Sequence, residues 1–197
     1  GGMVFASPAA AAKKADEADV KKAAQDNNAF AVDLYARSAE GNSNLIFSPY
    51  SVVSAFGMVY AGAKGETATE MEKVLHFSLG QEKLHPALGA LSEDLNKRGK
   101  GGRYELSVAN RLWGMKGYKF LDSYLDLIKD NYGAGLETVD FAASESARKT
   151  INGWVEKQTR DKIKNIIPAG ILNADTRLVI TNAIYFKGKW EEEFEKE

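Results

Sequence analysis

The chain has no cysteine, only two histidines and only four prolines in 197 residues. Without cysteine there can be no disulfide, no thiol nucleophile and no cysteine-based zinc site. That absence does not fix the compartment, because many exported proteins also lack disulfides. His76 and His85 are the only imidazoles. His76 falls at the end of a predicted helix, where a cation suits the dipole, and His85 precedes Pro86 near a helix start. Neither stands in a Ser, Asp or Glu arrangement resembling a triad, so both read as structural. No metal-ligand spacing is visible, and the residues imply no cofactor. No apolar run reaches the roughly 18 residues that a membrane span needs. A formal net charge of −1 argues against nucleic acid or an anionic membrane as the main partner.

The opening "GGMVFASPAAAAKKADEADVKKAAQ" lacks a basic leader followed by a long apolar run, so it does not read as an intact signal peptide. Residues 1–25 are expected to form a flexible or weakly helical tail, and residues 26–197 the folded part. Read as the remainder of an export signal, the tail puts the protein outside the cell, with a cytoplasmic protein as the alternative.

What is present is ordinary globular material, 44% hydrophobic and 27% charged. "DNNAFAVDLYARSAE" places Phe30, Leu34 and Tyr35 on one stripe and reads as an amphipathic helix capped by Asp26 or Asn27. Asn44 to Phe47 reads as a short apolar strand running into a second helix, with Ser48 as cap and Pro49 at the first helical position. That helix carries Val52, Val53, Ala55, Phe56, Met58 and Val59, apolar nearly all round, which predicts burial in the middle of a large structure. Thr67 with Glu70 forms a capping-box pattern for a third helix. "QEKLHPALGALSEDLNKRG" is a fourth, and "FLDSYLDLIKDNYGA" a fifth that ends at Gly133. "SESARKTINGWVEKQTRDKI" is a sixth, with Ser144 as its cap. "YELSVANRLWGM" and "LETVDF" read as strands, with Leu106, Val108, Asn110 and Leu112 sharing one face of the first. Arg177 to Trp190 is one long β-branched and aromatic strand, which needs neighbours on both sides. The order predicts a mixed α+β fold with one large sheet over buried helices, of which this chain holds a part.

Chemistry-bearing patterns are few. Ser146-Ala-Arg-Lys149 matches the S-x-x-K spelling of some acyl enzymes but has none of the companion motifs. "GKGGR" lacks the spacing of a phosphate-cradling loop. Lys97, Arg98, Lys100 and Arg103 form a basic group suited to a sulfated polysaccharide, or simply a solvated loop. Asn182 lies on one face with Ile180, Ile184 and Phe186, where an amide needs partners. Ser48 and Ser51, at the start of the second helix, are the candidates.

The stretches "NLIFSPYSVVSAFGMVYAGAKGETATEMEKVLHF", "VANRLWGMKGYKFLDSYLDLIKDNYGAGLETVDF", "TINGWVEKQTRDKIKNII" and "LVITNAIYFKGKWEEEFE" resemble the serpin family, in the family's order and spacing. The resemblance runs from about Asn27 to the end, is of microbial type, and covers the first half of a serpin domain. It implies three β-sheets with about nine helices around a large central sheet. "ANRLWGM" looks like that sheet's second strand and "LVITNAIYFKGKW" like its third. By the same resemblance Ser48, Ser51 and Asn182 fall in the shutter, where the central strands part, and Trp190 in the breach, where insertion begins. Asn152 and Trp154 fall on the helix that crosses the sheet and must yield. The buried amide then reads as part of a switch.

The activity implied is suicide inhibition of serine proteases, with cysteine proteases as a second target class. A reactive-centre loop, absent from this chain, is cut by the protease and inserts beside the third strand. The chain itself is then no enzyme, because the nucleophile belongs to the protease. The rival is a non-inhibitory serpin acting as carrier, chaperone or storage protein. Implied partners are the target protease, the C-terminal half of the same protein and, through the basic group, a glycosaminoglycan.

Overall fold

The computed structural model describes residues 15–39, 44–98, 104–190 and 192. Six α-helices, one 3₁₀ turn and one three-stranded sheet occur among them. The helices are α1 (Glu17–Ser38), α2 (Pro49–Tyr60), α3 (Gly65–Leu75), α4 (Gln81–Arg98), α5 (Asp122–Tyr132) and α6 (Ser144–Gln158). The strands are β1 (Tyr104–Met115), β2 (Leu136–Val139) and β3 (Leu178–Gly188), in the spatial order β2-β1-β3.

β1 and β3 pair antiparallel from Tyr104↔Gly188 to Gly114↔Leu178, while β2 runs parallel to β1 over Leu112–Met115. The two-residue period of a strand divides the molecule into two cores. Leu112, Leu178 and Ile180 face the helices α1 to α5, joining Phe30, Val53, Met58, Tyr60, Leu84 and Leu88. Their neighbours Trp113 and Val179 face the other way, against Phe141 in the 3₁₀ turn and Ala147 and Ile151 on α6. One sheet thus has helices on both faces, with α6 and the 3₁₀ turn before it on the second.

The caps account for several boundaries and correct others. Asp16 accepts from the Ala18 amide at 2.9 Å, so α1 begins at Glu17 and residues 17–25 are helix rather than tail. Small buried residues such as Ala23 give this turn a packed face that a stripe of large apolar residues does not reveal. Asp26 is not a cap. It is buried inside α1, paired with Lys22, and accepts from the Ser78 hydroxyl at 2.6 Å, which ties α1 to the turn after α3. Neither is the Thr67–Glu70 capping box formed, because α3 starts at Gly65 and both residues lie inside it. Ser144 is the first residue of α6 rather than its cap; the preceding 3₁₀ turn is closed by Asp140, which accepts from the Ala142 amide at 3.0 Å.

Asn44 to Phe47 is not a strand, since it pairs with no ladder among the described residues. α2 is buried on one side only: Val53, Ser54, Gly57, Met58 and Tyr60 are covered, whereas Phe56 and Val59 are 47% and 43% exposed. α4 and α5 approach closely at Gly89, where a Cβ would stand 2.5 Å from the Asn131 carbonyl oxygen, so no larger residue fits there. Gly133 ends α5 in the left-handed region, as its place in the sequence predicts.

Candidate functional site

Two side-chain assemblies, one on each face of the β1–β3 pair, hold Ser48, Ser51 and Asn182 on the one side and Asn152 and Trp154 on the other. The first starts at the N-terminus of α2. The Ser48 hydroxyl accepts from the Ser51 amide at 3.2 Å, and Pro49 follows at the first helical position, where a missing amide hydrogen costs nothing. This cap aims Ser51 at the sheet, and its hydroxyl donates to Asn182 Oδ1 at 2.6 Å. Asn182 Nδ2 donates in turn to Asn110 Oδ1 at 2.7 Å, across the strand pair where the two asparagines stand directly opposite. Asn110 Nδ2 reaches the Tyr132 carbonyl at the end of α5, at 3.4 Å.

A chain of polar groups therefore runs from α2 through β3 and β1 to α5. The sequence supplied Ser48, Ser51 and Asn182; Asn110 completes them. Its signal was its place among Leu106, Val108 and Leu112 on one strand face. Asn182 is half-buried rather than fully buried, so this chain lies at the boundary of the core. Replacing Asn182 by alanine is expected to cost about 1–2 kcal/mol, because it strips partners from both Ser51 and Asn110. Urea denaturation of Asn182→Ala, Asn110→Ala and the double variant checks this: the two losses should be clearly non-additive.

The second assembly lies under α6. Asn152 is 6% exposed, and its amide grips the backbone of Ile167 both ways, Nδ2 donating to the carbonyl at 3.0 Å and Oδ1 accepting from the amide at 2.9 Å. It fastens the segment after α6 back onto the helix. Trp154 meets Trp113 edge-on, with ring centroids 5.8 Å apart, and the Arg111 guanidinium lies 5.2 Å from the Trp154 ring while pairing with Glu137. Trp190 lies just past the end of β3 and is 70% exposed.

The two described members of the basic group are exposed and pair along their own helix. Lys97 pairs with Glu93 at 3.0 Å and Arg98 with Asp94 at 2.8 Å, both one turn back on α4, while Lys100 and Arg103 lie outside the described residues. Ser146 and Lys149 are exposed on α6, and the Ser146 carbonyl accepts from the Thr150 hydroxyl at 3.0 Å. His76 ends α3 in the left-handed region, with Nε2 2.7 Å from Asp33 Oδ2 on α1. His85 is buried, with Nδ1 2.7 Å from the Tyr132 hydroxyl, and burial pushes its pKa down to about 4. Among the described residues no helix is long and apolar enough to cross a membrane.

The geometry is that of a sheet whose third strand pairs on one side only among the described residues, fastened by a polar chain below and a helix above. Such a sheet between helices is a mixed α+β, serpin-like architecture. The serpin (serine protease inhibitor) family model matches residues 25–197, and the chain belongs to that family. It is 45% identical over 174 residues to human leukocyte elastase inhibitor, an alignment covering 87% of this chain and 45% of that protein.

Among solved structures, emu (Dromaius novaehollandiae) ovalbumin superposes with a TM-score of 0.74 at 36% identity, covering 90% of this chain and 48% of the other. Cleaved kallistatin complexed with heparin superposes with a TM-score of 0.78 at 30% identity, covering 87% and 51%. The chain thus spans about half the length of the relatives it matches. The relatives named with a source here are vertebrate, which gives the expected microbial type no support.

Proposed function

We propose that the full-length protein is a suicide-substrate inhibitor of serine proteases. The observation that carries this reading is the 45% identity to a protein named as an elastase inhibitor. In the proposed reaction the serine of the protease attacks the scissile carbonyl of the reactive-centre loop, an ester forms, and the amine of the new N-terminus leaves. The freed loop then enters the sheet beside β3 and carries the esterified protease with it, so that water no longer hydrolyses the ester. Ser48, Ser51 and Asn182, with Asn110 added, are the shutter in this reading. Trp190 marks the breach, and Asn152 and Trp154 hold the helix that must yield. The C-terminal half of the same protein supplies the loop and the remaining strands.

The test is to mix full-length protein with leukocyte elastase and resolve the products under denaturing conditions. A complex that survives denaturation is expected. Cleaved protein with no such complex would overturn the reading in favour of a carrier, chaperone or storage serpin. Heparin, the ligand in the kallistatin structure, is the probe for a polyanion site at Lys97, Arg98, Lys100 and Arg103. Trapping accelerated by heparin supports that site, and unchanged trapping removes it. Localisation outside the cell gains nothing from the relatives' names, and a cysteine-free chain suits a reducing cytoplasm equally well.

A further inference from the structure

The turn after α6 is strained in a particular way. Arg160 and Asp161 stand one after the other in the left-handed region, at φ 50° and 63°, and neither is glycine. Such backbone persists only where the surroundings over-determine it, and it gathers at switch regions. Here the surroundings can be named. Thr159 is buried; its hydroxyl donates to the Val155 carbonyl at 2.9 Å and accepts from the Ile163 amide at 3.1 Å, which folds the chain tightly round the helix end. The Asp161 amide donates to the Glu156 carbonyl at 2.8 Å.

The turn delivers Arg160 over the strands. Its guanidinium lies 4.5 Å from the centroid of the Tyr185 ring on β3 and pairs with Glu105 on β1. Glu105 stands opposite Lys187, two residues beyond Tyr185, so both partners share the α6 face of the ladder. One side chain on the exit of α6 thus spans both strands.

We propose that Arg160 is a latch: by gripping Tyr185 and Glu105 it holds the exit turn of α6 on the sheet and sets how fast another strand can enter beside β3. The inference rests on the proposed function, since it supposes that a strand enters. Arg160 is a positioning residue. It touches no reacting atom, and its grip must release before α6 can lift from β3. Arg160 itself is exposed and its partners Glu105 and Tyr185 are half-buried, which suits a latch, because ion pairs and cation–π contacts near the surface are weak enough to break and reform.

The experiment uses the full-length protein and two readouts. One is the rate at which the native form, held without protease at a fixed elevated temperature, converts to a monomeric, inserted and inactive form. The other is formation of the denaturation-resistant complex with elastase. Arg160→Ala and Tyr185→Ala are expected to speed conversion roughly three- to tenfold, the scale of one exposed cation–π contact with one surface ion pair. Alanine at 160 keeps the left-handed strain, so the change reports the lost grip. Tyr185→Phe keeps the ring and should convert at the wild-type rate, and Arg160→Lys should fall between. A merely destabilising substitution would instead give unfolded or aggregated material without more of the inserted monomer. Unchanged conversion in both alanine variants, with the wild-type complex intact, overturns the latch alone. Absence of the wild-type complex overturns the proposed function and the latch with it.

Discussion

Lowering the pH from 7 to 4 is expected to remove roughly 3 kcal/mol of folding stability through a single side chain, His85. The ring sits on α4 between Tyr60 of α2 and Tyr132 of α5, with centroids 5.8 Å from each, and is 1% exposed. Its Nδ1 meets the Tyr132 hydroxyl, whereas Nε2 is buried with no partner among the described residues. Charging this ring would place an imidazolium where no carboxylate answers it, and burial accordingly lowers its pKa from 6.5 to about 4. Between those two values the unfolded chain binds a proton that the folded chain refuses. The contribution is therefore complete above about pH 6.5, falls as the pH drops toward 4, and changes no further below that. Urea unfolding at a series of pH values would show this slope, and His85→Gln, which cannot take up the proton, should flatten it. A slope that survives in His85→Gln would place its origin in another group.

The same residue shows what the sequence made legible. His85 could be set aside as structural because no triad partner stood near it in the chain. Its tie to Tyr132, 47 positions away, is a product of the α4–α5 contact at Gly89, which no local pattern reveals. The strands fared better. Alternation in "YELSVANRLWGM" and the β-branched run ending in "YFKG" correspond to β1 and β3, and the latter is Leu178–Gly188 rather than the full Arg177–Trp190. Ser51 was legible as a partner for Asn182, since a small polar residue at a helix start facing a lone strand amide leaves few choices. Asn110 was not, because its place opposite Asn182 is a matter of register, and register is set by the whole ladder. Nor was the Arg160 turn. Left-handed backbone at an arginine is imposed by the packing around Thr159, because arginine's own propensity points elsewhere. The family resemblance supplied roles for Asn152 and Trp154. The contacts they make, to the Ile167 backbone and to Trp113, are tertiary.

Trp113→Ala is expected to cost about 3–5 kcal/mol, the largest loss of any single side chain in the sheet. Trp113 is 1% exposed and is the largest of the fully buried side chains. It fills the space between β1 and α6, against Val139, Phe141, Ala147, Ile151 and Leu172. Its indole also donates to the Thr181 hydroxyl at 3.0 Å, and that hydroxyl reaches the Arg111 carbonyl at 3.3 Å. Truncation to alanine leaves a cavity and removes the edge-on contact with Trp154. Trp113→Phe separates the two contributions. It keeps most of the apolar volume and loses the indole hydrogen bond, so about 1–2 kcal/mol should be lost. The consequence reaches function through α6, which has the sheet beneath it and few other neighbours. A helix that no longer finds Trp113 below it should open to proteolysis within residues 144–158 well before the β1–β3 ladder does. Urea unfolding of both variants, with limited proteolysis read by mass, measures the two effects together. A loss below about 1 kcal/mol in Trp113→Ala, with α6 still protected, would mean that the turn carrying Arg160 holds the helix to the sheet unaided.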